Sequence, residues 1–138
     1  PQGRIRIANV RVQGNLQGEA FTFFQTGKVE VTGATAEETP SYGFFFGSSG
    51  TVLARGLTAI NTSKQDPLAR AIWFENNQRV LASDLQIVDS QDTPTGYVLG
   101  AFQNGVVQRG ALSGISAVIT GGKLALANTS SLSMTVLP

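Results

Sequence analysis

The sequence predicts an all-β chain wound as a parallel β-solenoid, or β-helix, of about six coils, and three observations carry that expectation. The first is an internal repeat: apolar anchors recur at Ile5, Val29, Val52, Val80 and Val107, with a weaker copy at Leu124. The second is the spacing after each anchor. In the first four copies apolar or small residues fall at 0, +2, +5 and +7, and a turn-type residue stands at +4: Asn9, Gly33, Gly56 and Asp84. Period-two alternation indicates a strand, and one slipped residue of this kind indicates a sharp bend. The third is a large aromatic, Phe24, Phe46, Phe74 or Phe102, placed five or six residues before the anchors at Val29, Val52, Val80 and Val107.

Self-similarity at a period of about 20–50 residues is the signature of a solenoid or propeller. Three short strands per period leave too little chain for a four-stranded blade, so a solenoid is expected. Each coil then lies on its neighbour at roughly the 4.8 Å strand spacing, and equivalent positions form columns. No coil buries its apolar side alone, so the neighbours are obligatory.

Taken in order, the first coil holds Ile5, Ile7, Val10 and Val12 inward, the second Val29, Val31, Ala34 and Ala36. The third repeats the pattern with Val52, Ala54, Leu57 and Ala59, the fourth with Val80, Ala82, Leu85 and Ile87. Polar turns join the aromatic strand to the anchor strand, as in Gly47-Ser48-Ser49-Gly50 and Glu75-Asn76-Asn77. The fifth coil is irregular. Anchored on Val107 it turns Arg109 inward; anchored on Val106 it turns Gln108 inward, and a bulge at 106–110 resolves either conflict. The C-terminal residues 131–138 alternate as a strand, suited to a cap or an intersubunit strand. Long insertions come after the third and fourth coils, at 61–70 and 88–96.

The 138 residues fit one domain, 1–138. A coil begins almost at once, at Gly3-Arg4-Ile5, so the chain is expected to be a fragment of a longer β-helical protein. Charged residues are only 14%, which suits a surface of stacked Asn, Gln, Ser and Thr. The net charge of +1 supplies no basic stripe, so no nucleic-acid partner is expected. Without cysteine or histidine there is no disulfide framework and no ordinary zinc, copper or haem site. No cofactor and no metal are expected, and no apolar run approaches the length of a membrane-spanning helix.

Two stretches carry a family resemblance. Thr51-Val52-Leu53-Ala54-Arg55-Gly56-Leu57-Thr58-Ala59-Ile60-Asn61-Thr62 resembles a coil of the right-handed, pectate-lyase-like parallel β-helix superfamily, and so does the run from Ala71 to Ile87. The resemblance spans residues 3–130 and is a pattern of positions. It implies a right-handed helix and a protein of the kind that includes polysaccharide lyases, pectin methylesterases and phage tailspikes. Gln91-Asp92-Thr93 is similar to a pectin methylesterase segment, but the stretch Ser116-Ala117-Val118-Ile119 lacks the carboxylate that family needs. No catalytic residue is carried across.

The candidate site comes from alternation. With Phe24, Phe46, Phe74 and Phe102 inward, Phe23, Phe45, Trp73 and Ala101 turn outward on the same sheet. An exposed aromatic column marks a partner or ligand surface. It serves as a subunit interface of a homotrimer, as a sugar-stacking platform with Glu75 and Gln103 among its polar contacts, or as a surface covered by a loop such as 61–70. A slip of one residue would exchange the two columns. The binding or interface residues expected are therefore Phe23, Phe45, Trp73, Glu75 and Gln103. The expected function is a structural and adhesive module of a tailspike- or fibre-like protein, extracellular or on a virion, that recognises bacterial surface polysaccharide. The alternative is a fragment of a polysaccharide lyase or glycoside hydrolase whose cleft is completed elsewhere.

Overall fold

A computed structural model describes residues 3–14, 18–63, 70–88, 99–102, 106–113, 115–118 and 134–137, with side chains described as far as Val88. The strands, in chain order, are β1 (Arg4–Ala8), β2 (Arg11–Gln13), β3 (Phe21–Phe24), β4 (Lys28–Thr32) and β5 (Thr35–Glu37). They continue as β6 (Phe44–Gly47), β7 (Thr51–Arg55), β8 (Thr58–Ile60), β9 (Ile72–Glu75), β10 (Arg79–Ser83) and β11 (Gln86–Val88). The last four are β12 (Leu99–Phe102), β13 (Val106–Ser113), β14 (Ile115–Val118) and β15 (Met134–Leu137).

As far as β14, every third strand joins the same sheet. Sheet A runs β1-β4-β7-β10-β13, sheet B β2-β5-β8-β11-β14-β15, and sheet C β3-β6-β9-β12. All the pairings are parallel, so the chain is a parallel β-solenoid with three sheets as its walls. Three turns, β3–β5, β6–β8 and β9–β11, are complete with their side chains described, fewer than the six coils expected. β1 and β2 add two walls of a turn at one end, and β12 to β14 extend all three sheets at the other. The weak sixth repeat at Leu124 lies outside the described residues. The C-terminal strand expected in 131–138 forms at 134–137, paired within the chain to β14.

The repeat is the register. Ile5, Val29, Val52, Val80 and Val107 are successive partners in sheet A. Val12, Ala36, Ala59, Ile87 and Ala117 are partners in sheet B. From Val29 to Ile87 the inward positions are buried. In the first turn Ile5 and Val10 stay 37% and 39% exposed, because no described coil lies beneath them.

The bends stack as well. Asn9, Gly33, Gly56 and Asp84 all adopt left-handed φ, between 54° and 67°. Only that conformation turns the chain from sheet A to sheet B in one residue, and Gly, Asn and Asp tolerate it best. The bend amides remain in the axial ladder: Asn9 donates to the Thr32 carbonyl at 2.9 Å, Gly33 to Arg55 at 2.9 Å and Gly56 to Ser83 at 3.1 Å.

The corner between sheets C and A is held by a buried polar stack of Thr26, Ser49 and Asn77. The Thr26 amide donates to Ser49 Oγ at 3.2 Å, and the Ser49 amide donates to Asn77 Oδ1 at 3.0 Å. Asn77 Nδ2 donates to the Phe46 carbonyl at 3.0 Å, which closes the link to the turn before. The Asn61-Thr62-Ser63 sequon falls at the corner between sheets B and C, where Thr62 and Ser63 are fully buried and Ser63 Oγ donates to the Ser41 carbonyl.

β13 carries the expected irregularity. Val107 pairs with Val80, but the next partner of Ala82 is Leu112, so the register jumps across Gln108–Ala111. The Val107 anchor is the one used.

The first turn is tied on by charge. Arg4 Nη2 lies 2.7 Å from Glu30, Lys28 Nζ lies 3.1 Å from the same carboxylate, and Arg11 pairs with Glu37. The hydrogen bond from Arg4, then that from Lys28, holds the Glu30 carboxyl below the ordinary carboxylate range. A carboxyl with a depressed folded-state pKa stabilises above its unfolded value, and that contribution is lost as pH falls through the folded value.

Two outcomes are expected. Asn77→Ala strands the Ser49 amide and removes one donor from the Phe46 carbonyl, at a cost of about 1–3 kcal/mol read from urea unfolding, whereas Asn76→Gly, at a position with left-handed φ, costs little. Lowering pH below the usual carboxylate range, or Glu30→Gln at neutral pH, should speed hydrogen exchange of the β1 amides while β4 and β7 stay protected.

Candidate functional site on the outer face of sheet C

The side chains of sheet C sort into inner and outer rows by pleat. Phe21, Phe44 and Ile72 form one inner row, with the Phe21 and Phe44 rings 4.8 Å apart and nearly parallel. Phe23, Phe46 and Phe74 form the second, with 5.1 Å between successive rings. The partner of Phe74 in the next strand is Ala101. This corrects Phe24 in the expected inner column, and the register sets Ala101 beside Phe74 in place of the expected Phe102.

Phe23, expected outside as a binding or interface residue, is 5% exposed and belongs to the core. The physical reason is register. Phe23, Phe46, Phe74 and Ala101 each precede their anchor valine by six residues, whereas Phe24 precedes Val29 by five. A parallel ladder keeps equal chain lengths in step between turns of equal size, so the constant spacing identifies the column. The doubled Phe23-Phe24 hides that signal, because both residues are aromatic.

Outward rows are set by the same register. One is Thr22, Phe45 and Trp73; the other is Phe24, Gly47 and Glu75. Phe45 and Trp73 are outward as expected, adjacent on neighbouring strands and half-buried. Glu75 is outward in the second row and half-buried. Gln103 lies outside the described residues. Phe24, expected inside, is 54% exposed, the most exposed of the large apolar side chains described.

The three aromatics form one surface. A Cβ at Gly47 would stand 2.6 Å from Phe45 and 2.8 Å from Phe24, so both rings lie over this glycine and close the gap between them. Two further side chains, each three residues upstream, pack onto the row. Tyr42 meets Phe45 edge-on, with ring centroids 5.1 Å apart at 82°. The Arg70 guanidinium lies 5.4 Å from the centre of the Trp73 ring. Arg70 is the last residue of the 61–70 insertion; residues 64–69, expected as cover for this face, lie outside the described residues.

The result is an amphipathic strip along the solenoid axis, with aromatic faces in the middle and Tyr42, Arg70 and Glu75 at its margins. Half-buried rings offer a rigid, low-entropy apolar surface, and the flanking groups offer hydrogen bonds. A cation over an aromatic face adds attraction and fixes the ring. Among the described residues no three carboxylates gather in a group fit to hold a metal ion. Comparison with protein-family models, with curated proteins and with solved structures finds no match to this chain.

The inward and outward assignments are separable by mutation. Phe23→Ala is expected to cost about 3–5 kcal/mol, as for a buried aromatic, and Phe24→Ala about 1 kcal/mol or less. Equal losses in denaturant unfolding would contradict the register.

Proposed function

We propose that this chain is a structural and adhesive β-solenoid module, of the kind built into tailspikes and fibres, that recognises polysaccharide on the outer face of sheet C. The observation that carries the reading is the aromatic strip of Phe24, Phe45 and Trp73, bordered by Tyr42, Arg70 and Glu75. A pyranose ring has an apolar face the size of an aromatic ring and a polar rim. A line of rings with donors and acceptors beside it complements that shape. Phe45 and Trp73 follow one another at the strand spacing with Phe24 beside them, so an extended glycan has successive ring contacts along the axis. Each contact is weak, and simultaneous engagement raises the total.

A second reading has a specific observation in its favour. Phe24 leaves more than half of its surface in water, and exposed aromatics of this size are commonly buried between subunits. On that reading the strip is the contact of a homotrimer. The uneven margin, with a guanidinium seated on the indole, favours a ligand over a dry subunit contact.

Trp73→Ser separates the two. The expected outcome is loss of binding to surface polysaccharide in a glycan pull-down, with the solution mass by light scattering unchanged. If the protein is instead a trimer near three times 14.5 kDa and the variant falls to the monomer mass, the strip is the subunit contact. Release of reducing sugar from the same polysaccharides would favour the lyase or hydrolase alternative.

A further inference from the structure

A second surface, on a different wall, has its own chemistry. Among the described residues, the outer face of sheet A holds five of the ten basic residues of the chain: Arg4, Arg6, Lys28, Arg55 and Arg79. Against them stand Glu30 and, at the bend beyond β10, Asp84. A chain of net charge +1 therefore concentrates positive charge on one side.

The distribution within that face is uneven. Glu30 gives one oxygen to Arg4 at 2.7 Å and the other to Lys28 at 3.1 Å. Arg6 is the direct cross-strand partner of Glu30, yet it has no ion pair among the described residues; the Glu30 oxygens meet Arg4 and Lys28 instead. Three cations around one carboxylate leave an excess of two positive charges at this end. Arg55 meets Asp84 only at 3.5 Å, with both side chains mostly in water, a pairing weak enough for the guanidinium to turn elsewhere.

Beside Arg6 the C-terminal halves of β4, β7 and β10 enclose an open groove of about 400 Å³. Along one row it is lined by Arg6, Glu30, Leu53 and Leu81, and along the next by Thr32, Arg55 and Ser83. Leu53 and Leu81 are register partners that point outward and stay half-buried. Two adjacent leucines on the solvent side of a sheet form an apolar floor where the pleat would ordinarily place polar residues.

We propose that the groove on sheet A binds a small organic anion with an apolar body, its charged head at the Arg6 end and its body over Leu53 and Leu81. The volume falls within the roughly 300–1,000 Å³ of small-molecule sites. Charge-assisted hydrogen bonds from a guanidinium that no carboxylate among the described residues occupies orient the head. The Thr32 and Ser83 hydroxyls and the exposed Arg55 line the side of the groove and can turn toward the bound molecule. The site does not depend on the aromatic strip, which lies on another wall.

The test uses the whole chain and two fluorescent probes of similar body, 8-anilinonaphthalene-1-sulfonate and the uncharged N-phenyl-1-naphthylamine. The sulfonate should bind saturably at one site and weaken as salt is raised. Arg6→Gln should reduce its affinity about tenfold without affecting the uncharged probe, and Leu53→Ser should weaken both. Arg6 is exposed, so its variant should keep the wild-type unfolding midpoint. Trp73→Ser should leave sulfonate binding unchanged. Equal sulfonate affinity in wild type and Arg6→Gln would overturn the proposal, as would loss of the site in Trp73→Ser, which would place the probe on sheet C.

Discussion

The axial hydrogen-bond ladder is the constraint on which the rest of this molecule depends. It runs through the strands of all three sheets and continues through the bends, where the amides of Asn9, Gly33 and Gly56 donate to the neighbouring turn. A helix satisfies its backbone within itself, and an open sheet ends at an edge. A solenoid turn satisfies its backbone only through the turns on either side. Register is then common to a whole turn: a residue is either above its equivalent or displaced with all its neighbours.

That constraint turns single residues into columns, and each column takes one kind of chemistry. Inner positions stack valines, alanines and leucines, with parallel phenylalanine rings 4.8–5.1 Å apart along sheet C. The bend column admits Gly, Asn and Asp because the left-handed backbone excludes most other side chains. The polar corner of Thr26, Ser49 and Asn77 meets the same geometric demand by a different means. The backbone groups of a buried turn need partners: Ser49 and Asn77 each supply one to the adjacent turn, and Thr26 Oγ1 donates to the Phe24 carbonyl of its own turn.

The outer rows are where stacking leaves side chains to solvent. The two walls are chemically distinct. Sheet C presents aromatic rings with an attached guanidinium and phenol, whereas sheet A presents leucines among arginines. Both surfaces run along the axis. The aromatic strip is also coupled to the core. Gly47 has no side chain because two outer rings occupy its space, and the Phe46 carbonyl next to it is fixed by Asn77.

The sequence alone determined the solenoid, its repeat and its bends. The spacing of 0, +2, +5 and +7 with a turn residue at +4 is the register of sheets A and B written out, because the anchors pair with one another in the structure. It also located the irregular fifth turn, since Arg109 cannot be placed inward without cost. Tertiary structure decided which of two adjacent phenylalanines is core. Phe23 and Phe24 are chemically alike, so hydropathy does not separate them, and only the equal chain length to the anchor brings Phe23 over Phe46. The structure also decided that Arg70 and Tyr42 belong to the candidate site, and that Arg6 stands without an ion partner among the described residues. Those facts depend on side chains meeting across turns or around a bend, and a one-dimensional pattern contains no such distances.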